Sequence, residues 1–233
     1  ATLEPEKHPD VAYVLKLVCM IDHVDDESKE DIWPGEEIAP DDWTTAENPS
    51  YGYYAYYFWA NVHKLNQLRR ERGLNTIQNR PHAGESGPLH HLASAFLFCD
   101  GSSHGIALEN SDVFQYLWYL CQIGTAVSPI SNRTLFKRYV LNPFPKLFAR
   151  GLRVCLSTDD PMQFHMTNQP LIEEYSTARQ GWDSEMHDLT EIARNSIFIS
   201  FGDEAAGELY GALADTIGVD DHAHTANVSS VRL

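Results

Sequence analysis

The feature that most constrains the fold of this chain is a regular alternation of short apolar runs with longer segments of helical periodicity. The apolar runs predict five strands, at residues 11–22, 75–82, 125–128 and 153–160 and in a short stretch that ends near His104. The helical patterns fall between and after them, at residues 54–68, 90–97, 111–121 and 142–150 and beyond Pro170. Strands that alternate with helices are typical of a parallel sheet, because each helix carries the chain back to the end of the sheet at which the previous strand began. The sequence therefore predicts an α/β fold.

Length and charge limit the classes of partner. The chain has 233 residues, of which 43% are hydrophobic, so it can bury a sizeable core as one large domain. Its formal net charge of −16 argues against a nucleic-acid polymer or an anionic membrane as partner, because neither polyanion would be attracted to it. A small anionic ligand remains compatible with the charge, since local groups can bind it.

Cysteine usage and hydropathy bear on location. The four cysteines, Cys19, Cys99, Cys121 and Cys155, lie in or beside apolar segments without C-x-x-C spacing, which predicts buried, reduced thiols. No apolar run approaches the roughly 18 residues that a membrane span needs, and the amino-terminal residues lack the layout of a signal peptide. We therefore expect a cytoplasmic location.

An acidic stretch interrupts the alternation after the first apolar run. Ten acidic residues and one lysine lie between Val24 and Glu47. We interpret residues 24–50 as a solvated acidic loop, which changes the surface of the protein without contributing to its chemistry.

Polar and titratable side chains collect where the predicted strands end. In chain order these residues are His82, Glu85, His104, Ser128, Asn132, Asp159 and Asp160. In a (β/α) barrel the carboxyl ends of the strands meet at the face that carries the chemistry. Each residue alone has an ordinary structural explanation, but their occurrence at successive strand ends favours a shared site.

The adjacent pair Asp159 and Asp160 has two interpretations. Asp160 followed by Pro161 is a favourable helix start, with an N-cap aspartate and a proline in the first turn. Two neighbouring carboxylates repel each other, however, and a bound dication removes that repulsion. Imidazole and carboxylate are good zinc ligands, a second histidine can handle a proton of water, and a nearby glutamate can protonate a substrate nitrogen. The residue types are therefore compatible with zinc-assisted hydrolysis.

Four motifs, RPHAGESG, SSHG, SPISN and LSTDDPMQFH, resemble the active-site motifs of the adenosine/AMP deaminase superfamily, in the same order. Longer stretches, among them AENPSYGYYAYYFWANVHKLNQLRRERGL and NPFPKLFARGL, narrow the resemblance to the AMP deaminase family, and it covers nearly the whole chain. The resemblance implies a TIM-type (β/α)8 barrel of the metal-dependent amidohydrolase superfamily, to which this chain supplies about the last five βα units. It further implies a zinc-dependent conversion of AMP and water to IMP and ammonia, with one Zn2+ per active site, in a homo-oligomer.

The resemblance also assigns roles residue by residue. It implies that His82 and Asp159 are zinc ligands. Glu85 would protonate purine N1 during attack at C6, and His104 would orient and deprotonate the attacking water.

Two further positions are implied to contact the substrate. Gly84 would offer a backbone N–H to the purine, and Asp160 would bind the N7 edge. The two adjacent aspartates would then have separate partners, because Asp159 would face the metal while Asp160 faces the base.

The resemblance is incomplete in one respect. The family's zinc site also needs two histidines from an Asp-x-His-x-His motif on the first strand of a barrel that takes about 250 residues. DDHAH at residues 220–224 matches those letters, but it lies in the polar segment 201–233, which we predict to be a carboxyl-terminal helical and tail segment. We expect instead that residues 1–233 are the carboxyl-terminal part of one catalytic barrel, inactive by themselves.

An adenosine deaminase-like enzyme and a non-catalytic relative remain alternatives, whereas the signature of cytidine deaminase-type enzymes is absent.

Overall fold

Parallel strands form the frame of the molecule. A computed structural model describes residues 1–24, 26–29, 31, 38–44, 46–135 and 137–201. In this part of the chain the strands make a two-stranded sheet, β1-β2, and a four-stranded sheet, β3-β4-β5-β6, and all pairs are parallel. The strands are β1 (Met20–Ile21), β2 (Gln78–Asn79), β3 (His82–Ala83), β4 (Gly101–His104), β5 (Gly124–Val127) and β6 (Val154–Leu156).

The strands β2 and β3 are two parts of one predicted strand. Pro81 lies between them and has no N–H to donate, which interrupts the ladder of hydrogen bonds. The backbone still connects to both neighbours, because the His82 N–H donates to His23 O at 3.1 Å and the Ser103 N–H donates to Pro81 O at 2.9 Å. The chain therefore has five consecutive parallel strand positions, and the predicted alternation is confirmed.

Helices occupy the segments between the strands. Those after β1 are α2 (Tyr51–Glu71), α3 (Leu89–Phe98), α4 (Asp112–Cys121), α5 (Pro129–Leu135), α6 (Phe144–Ala149), α7 (Pro161–Phe164), α8 (Pro170–Gly181) and α9 (Met186–Phe201). Their ends carry the expected signals. Gly73, at φ +64°, follows α2, and Ser111 caps α4 by accepting the Phe114 N–H at 3.3 Å.

The amino-terminal segment differs from the prediction. The sequence predicts one strand over residues 11–22, but the helix α1 (Pro9–Leu17) takes most of this run, and only Met20 and Ile21 pair as a strand. Pro9 occupies the start of α1 and Asp10 its first turn, both favourable for a helix. A continuous apolar run of this length does not by itself distinguish a strand from a helix.

The core lies between the sheet and its helices. Fully buried members come from different elements, namely Leu92 of α3, Trp118 of α4, Leu147 of α6, Val154 of β6 and Ile192 of α9. Burying a large apolar side chain contributes about 1.5–3 kcal/mol. This packing holds the helices against the strands and so fixes where the strands end.

The remaining expectations concern thiols, membranes and the carboxyl-terminal segment. All four cysteines are free, but only Cys155 is buried. Cys19 and Cys99 are partly exposed and Cys121 is exposed at the end of α4, so the prediction of burial is correct for Cys155 and wrong for Cys121. No helix among the described residues is long and apolar enough to cross a bilayer. Of the predicted tail, only Phe201 belongs to the described part of the chain, as the last residue of α9; residues 220–224 lie outside it.

Candidate active site

Three of the residues predicted at strand ends form one cluster. His82 lies in β3, His104 is the last residue of β4, and Asp159 follows β6. Each offers one potential ligand atom, and these atoms all lie within 4.8 Å of one another. The two imidazole rings are 4.6 Å apart between centroids. The parallel sheet therefore brings together side chains that are far apart in the sequence.

Asp22, directly after β1, orients His82. Its Oδ1 lies 2.9 Å from His82 Nδ1, and its Oδ2 accepts the Ser103 hydroxyl at 2.6 Å. Burial opposes a charge on His82, but the bond to Asp22 and nearby carboxylates raise the pKa of this imidazole above its usual value. A carboxylate on one ring nitrogen leaves the other available, as in most histidines that bind metals. The site thus favours a positive charge at His82, either a proton or a coordinated cation.

Asp159 is also held in place. Its Oδ2 accepts the Ser131 hydroxyl at 2.6 Å, and its backbone has φ +53°, a left-handed conformation that aspartate tolerates better than most residues. Such a conformation in a residue of this site is typical of functional loops. His104 Nε2 lies 3.9 Å from the same Oδ2.

Asp160 occupies a different position from its neighbour. It stands at the N-cap of α7, as the helix-start interpretation predicts, but its side chain makes no capping hydrogen bond. Asp160 is exposed, whereas Asp159 is partly buried in the cluster with His82 and His104. The two carboxylates therefore have separate surroundings.

Glu85 lies beside His104 and shares a neighbour with it. Asn132 Nδ2 donates to Glu85 Oε1 at 2.9 Å and lies 3.1 Å from His104 Nδ1. The same Glu85 oxygen lies 3.3 Å from His104 Nδ1. Burial, together with the Asp159 charge, raises the pKa of Glu85 to about 7, although the neighbouring His82 opposes this rise. Burial, assisted by His82, lowers the pKa of His104 to about 4. A carboxylic acid and a neutral imidazole can therefore coexist near neutral pH.

Strand β3 and the loop that connects it to α3 have contacts that the sequence did not reveal. The Tyr51 hydroxyl donates to His82 O at 2.8 Å, and the Gly84 N–H donates to Glu27 Oε1 at 2.6 Å. The interpretation of the acidic loop as purely solvated surface is thus wrong for Glu27, which is only 7% exposed. Its carboxylate is buried because backbone N–H groups satisfy it.

The expected contact between Gly84 and a purine is affected by this bond. An N–H that donates to a carboxylate at 2.6 Å has no free capacity for a base in this conformation. Contact of Gly84 with the substrate therefore stays a prediction. It requires the Gly84 N–H to exchange Glu27 Oε1 for the base, while Glu27 Oε2 can keep its bonds to the N–H groups of Glu85 and Ser86.

The fold and the site define a class of protein. Parallel strands alternating with helices, and a His-His-Asp cluster with an acidic side chain at the strand ends, are typical of metal-dependent hydrolases built on (β/α) barrels. Among solved structures, an adenine deaminase from Arthrobacter aurescens is similar with a TM-score of 0.54 and 25% identity, over 67% of this chain and 47% of that one. An amidohydrolase from Burkholderia ambifaria, solved with bound Zn, has a TM-score of 0.51 and 22% identity, over 70% of this chain and 46% of that one, and supports the fold. The chain therefore forms part of an amidohydrolase-type α/β barrel.

Sequence comparison is more specific. The model of the AMP deaminase family matches residues 1–233, so the chain belongs to the AMP deaminase family. It is 52% identical to an AMP deaminase of Arabidopsis thaliana over 201 residues, which are 86% of this chain and 24% of that protein. It is 47% identical to an AMP deaminase of Dictyostelium discoideum over 234 residues, which are 100% of this chain and 30% of that protein. The chain thus spans less than a third of the length of these relatives.

Proposed function

We propose that this chain carries part of the active site of an enzyme that uses one zinc ion to convert AMP and water to IMP and ammonia. Membership of the AMP deaminase family supports the reaction class. The observation that carries the proposal is the position of Glu85 and His104, a potential acid and a potential base, beside the candidate ligands His82 and Asp159.

His82 and Asp159 would hold the zinc ion. His82 fits this role because Asp22 contacts its Nδ1, which leaves Nε2 for a metal. Asp159 fits because Ser131 donates to Oδ2, which leaves Oδ1. Zinc in enzymes usually has three protein ligands, so further ligands are needed besides these two. When bound, zinc supplies a Lewis acid that makes water nucleophilic near neutral pH.

His104 would orient the attacking water and accept its proton. Burial lowers the pKa of His104 to about 4, so the ring is neutral near pH 7 and one nitrogen carries a lone pair. Asn132 and Glu85 contact the ring and limit its rotation.

Glu85 would act as the general acid. Because burial raises its pKa to about 7, a substantial fraction is protonated at neutral pH and can donate to purine N1. As the water oxygen bonds to C6, N1 gains the proton of Glu85 and His104 takes a proton from the water. The remaining hydroxyl proton then goes to the amino group, the C6–N bond breaks, and ammonia departs, so that the base becomes the 6-oxo purine of IMP. Transfer of the proton gained by His104 to Glu85 would restore both groups for the next turnover.

Asp160 would bind the N7 edge of the base by donating the hydrogen of its carboxyl group to N7, which is an acceptor. This exposed side chain lies next to Asp159 and makes no capping hydrogen bond to α7, so it is available to a ligand. We also retain as predictions the homo-oligomeric state and the cytoplasmic location.

The test is the substrate preference of a polypeptide of the relatives' length that contains this chain. After purification with zinc, ammonia release is measured with AMP and with adenosine, and IMP is identified as product. We expect turnover of AMP and little turnover of adenosine. The reverse preference would support an adenosine deaminase instead, and release from neither substrate would support a non-catalytic relative.

A further inference from the structure

The carboxylate of Glu27 binds the loop that carries the proposed general acid. Glu27 Oε1 accepts the Gly84 N–H at 2.6 Å, and Oε2 accepts the N–H groups of Glu85 at 2.7 Å and Ser86 at 3.2 Å. His91 Nδ1 lies 3.3 Å from Oε1. Three successive N–H groups that converge on one anion form a backbone nest. Here the anion is a side chain of the protein itself.

The loop is shaped for this contact. Gly84 has φ +77°, which turns successive N–H groups toward one side, and a Cβ there would lie 3.0 Å from Leu92 Cδ2. A Cβ on Gly87 would lie 2.9 Å from Glu27 Oε1, so glycine at this position lets the carboxylate approach. Gly84 therefore favours the arrangement through its backbone conformation, and Gly87 leaves room for the carboxylate.

The loop and Glu27 depend on each other energetically. A buried carboxylate without hydrogen bonds is strongly unfavourable, and so are buried backbone N–H groups without acceptors. The Glu27 side chain is 4% exposed, and its hydrogen-bond partners within the described part of the chain are the 84–86 backbone and His91. Removal of the carboxylate would therefore leave up to three N–H groups to find new partners, and the loop would move to expose them.

Movement of the loop would displace the Glu85 side chain. Its backbone N–H is bound to Glu27 and its carboxylate to Asn132, so the acid is held at two points. A misplacement of about 1 Å in a group that reacts can reduce the rate about 10²-fold.

We propose that Glu27 is a positioning residue, which fixes the backbone of residues 84–86 and thereby aims Glu85 at the substrate. The inference rests on the proposed function, in which Glu85 donates a proton. It also gives a role in the reaction to a member of the acidic loop, through Glu85 and without contact with the reacting atoms.

The central experiment uses Glu27→Gln in the zinc-loaded polypeptide of the relatives' length. Glutamine keeps the size of the side chain, but one carboxylate oxygen becomes an amide nitrogen, which cannot accept a hydrogen bond. The backbone N–H groups that face this nitrogen therefore lose their acceptor. We expect kcat for AMP to fall about 10²-fold, while KM changes less than about threefold and zinc content is unchanged. Asp26→Asn is the matched control, because Asp26 is an exposed neighbour that accepts hydrogen bonds from Ser28. It should retain the kcat of the unmodified protein.

A double variant separates positioning from a general loss of structure. If Glu27 acts through Glu85, adding Glu27→Gln to Glu85→Gln should lower kcat no further than Glu85→Gln alone. Effects that multiply, or a Glu27→Gln protein with unchanged kcat, would overturn the proposal.

Glu27→Asp covers the case in which Glu27→Gln does not fold. Aspartate keeps the charge but is shorter by one methylene, so we expect a folded protein with normal zinc content and a kcat below that of the unmodified protein. An unchanged kcat in Glu27→Asp would contradict the positioning role.

The unmodified protein is measured in parallel. Absence of AMP turnover there would refute the proposed function and this inference together, whereas AMP turnover with unaffected Glu27 variants would refute the inference alone.

Discussion

Replacement of Asp22 by asparagine tests the proposed zinc ligand His82 through its partner. Asparagine has the shape of aspartate, but only one of its two terminal atoms is an acceptor. Asp22 accepts at both oxygens, with His82 Nδ1 at 2.9 Å and the Ser103 hydroxyl at 2.6 Å. Asp22→Asn therefore removes the negative charge beside His82, while the Ser103 hydroxyl can turn to accept from the amide nitrogen.

The expected magnitude follows from two independent considerations. Loss of a carboxylate that orients a metal-binding histidine typically weakens metal affinity about 10–100-fold, or about 1.4–2.7 kcal/mol. A hydrogen bond to a charged group contributes about 1.5–3 kcal/mol, which is the same range. Ser103→Ala should have a smaller effect, because the Ser103 hydroxyl bonds to Asp22 Oδ2, and the bond from Asp22 Oδ1 to His82 Nδ1 would remain.

The assay is competition for zinc between the purified polypeptide and a chelator of known affinity. Asp10→Asn, at an exposed position in α1, controls for the change of charge. We expect Asp22→Asn to raise the Kd for zinc by at least about tenfold and Asp10→Asn to leave it unchanged. Equal zinc affinity in Asp22→Asn and the unmodified protein would refute the reasoning that Asp22 prepares His82 for a metal.

Three further predictions concern neighbouring residues. Ser131→Ala removes the donor that holds Asp159 Oδ2 at 2.6 Å and should raise the Kd for zinc by about tenfold, which the same competition assay measures; an unchanged Kd would contradict the orienting role. Asp160→Ala should leave zinc content unchanged and raise KM for AMP up to about tenfold, because one hydrogen bond to the base is removed; steady-state kinetics would contradict this if KM stayed the same. Burial opposes the charge of the Glu27 carboxylate, but the hydrogen bonds that it accepts outweigh this and lower its pKa from 4.5 to about 2. The contribution of Glu27 to the free energy of unfolding is therefore present above pH 4.5 and is lost as the pH falls toward 2. The loss amounts to about 3 kcal/mol. The stability of Glu27→Gln, measured by near-ultraviolet circular dichroism during acid unfolding, should therefore depend less steeply on pH than that of the unmodified protein. Identical curves for the two proteins would contradict this prediction.

The site could be predicted from the sequence where a simple geometric rule applies. Residues at the carboxyl ends of parallel strands meet, so the expectation that His82, His104 and Asp159 are neighbours is correct. Asp22 follows a strand in the same way, but the sequence does not reveal its role. That role depends on which atom of His82 it contacts, and this requires the register of β1 against the strand beside it.

Other features were not accessible from local sequence. Glu27 belongs to an acidic run of ordinary appearance, and its burial results from backbone N–H groups that come from residues 57 to 59 positions further along the chain. The helix α1 was not predicted because a long apolar run satisfies both a strand and a helix pattern, and the local signals of Pro9 and Asp10 precede that run. Tertiary contacts decide the position of Glu27, and neither composition nor periodicity encodes them.

A side-by-side comparison of Asp159→Ala and Glu85→Gln tests the central claim most directly, that one residue binds the metal and the other moves a proton. Zinc content and AMP turnover are measured for both in the polypeptide of the relatives' length, with Asp10→Ala as an exposed control. We predict that Asp159→Ala loses zinc and activity together. Glu85→Gln should keep its zinc and lose about 10²–10⁴-fold in turnover. Full zinc content in Asp159→Ala, or near-normal AMP deamination by Glu85→Gln, would contradict the account.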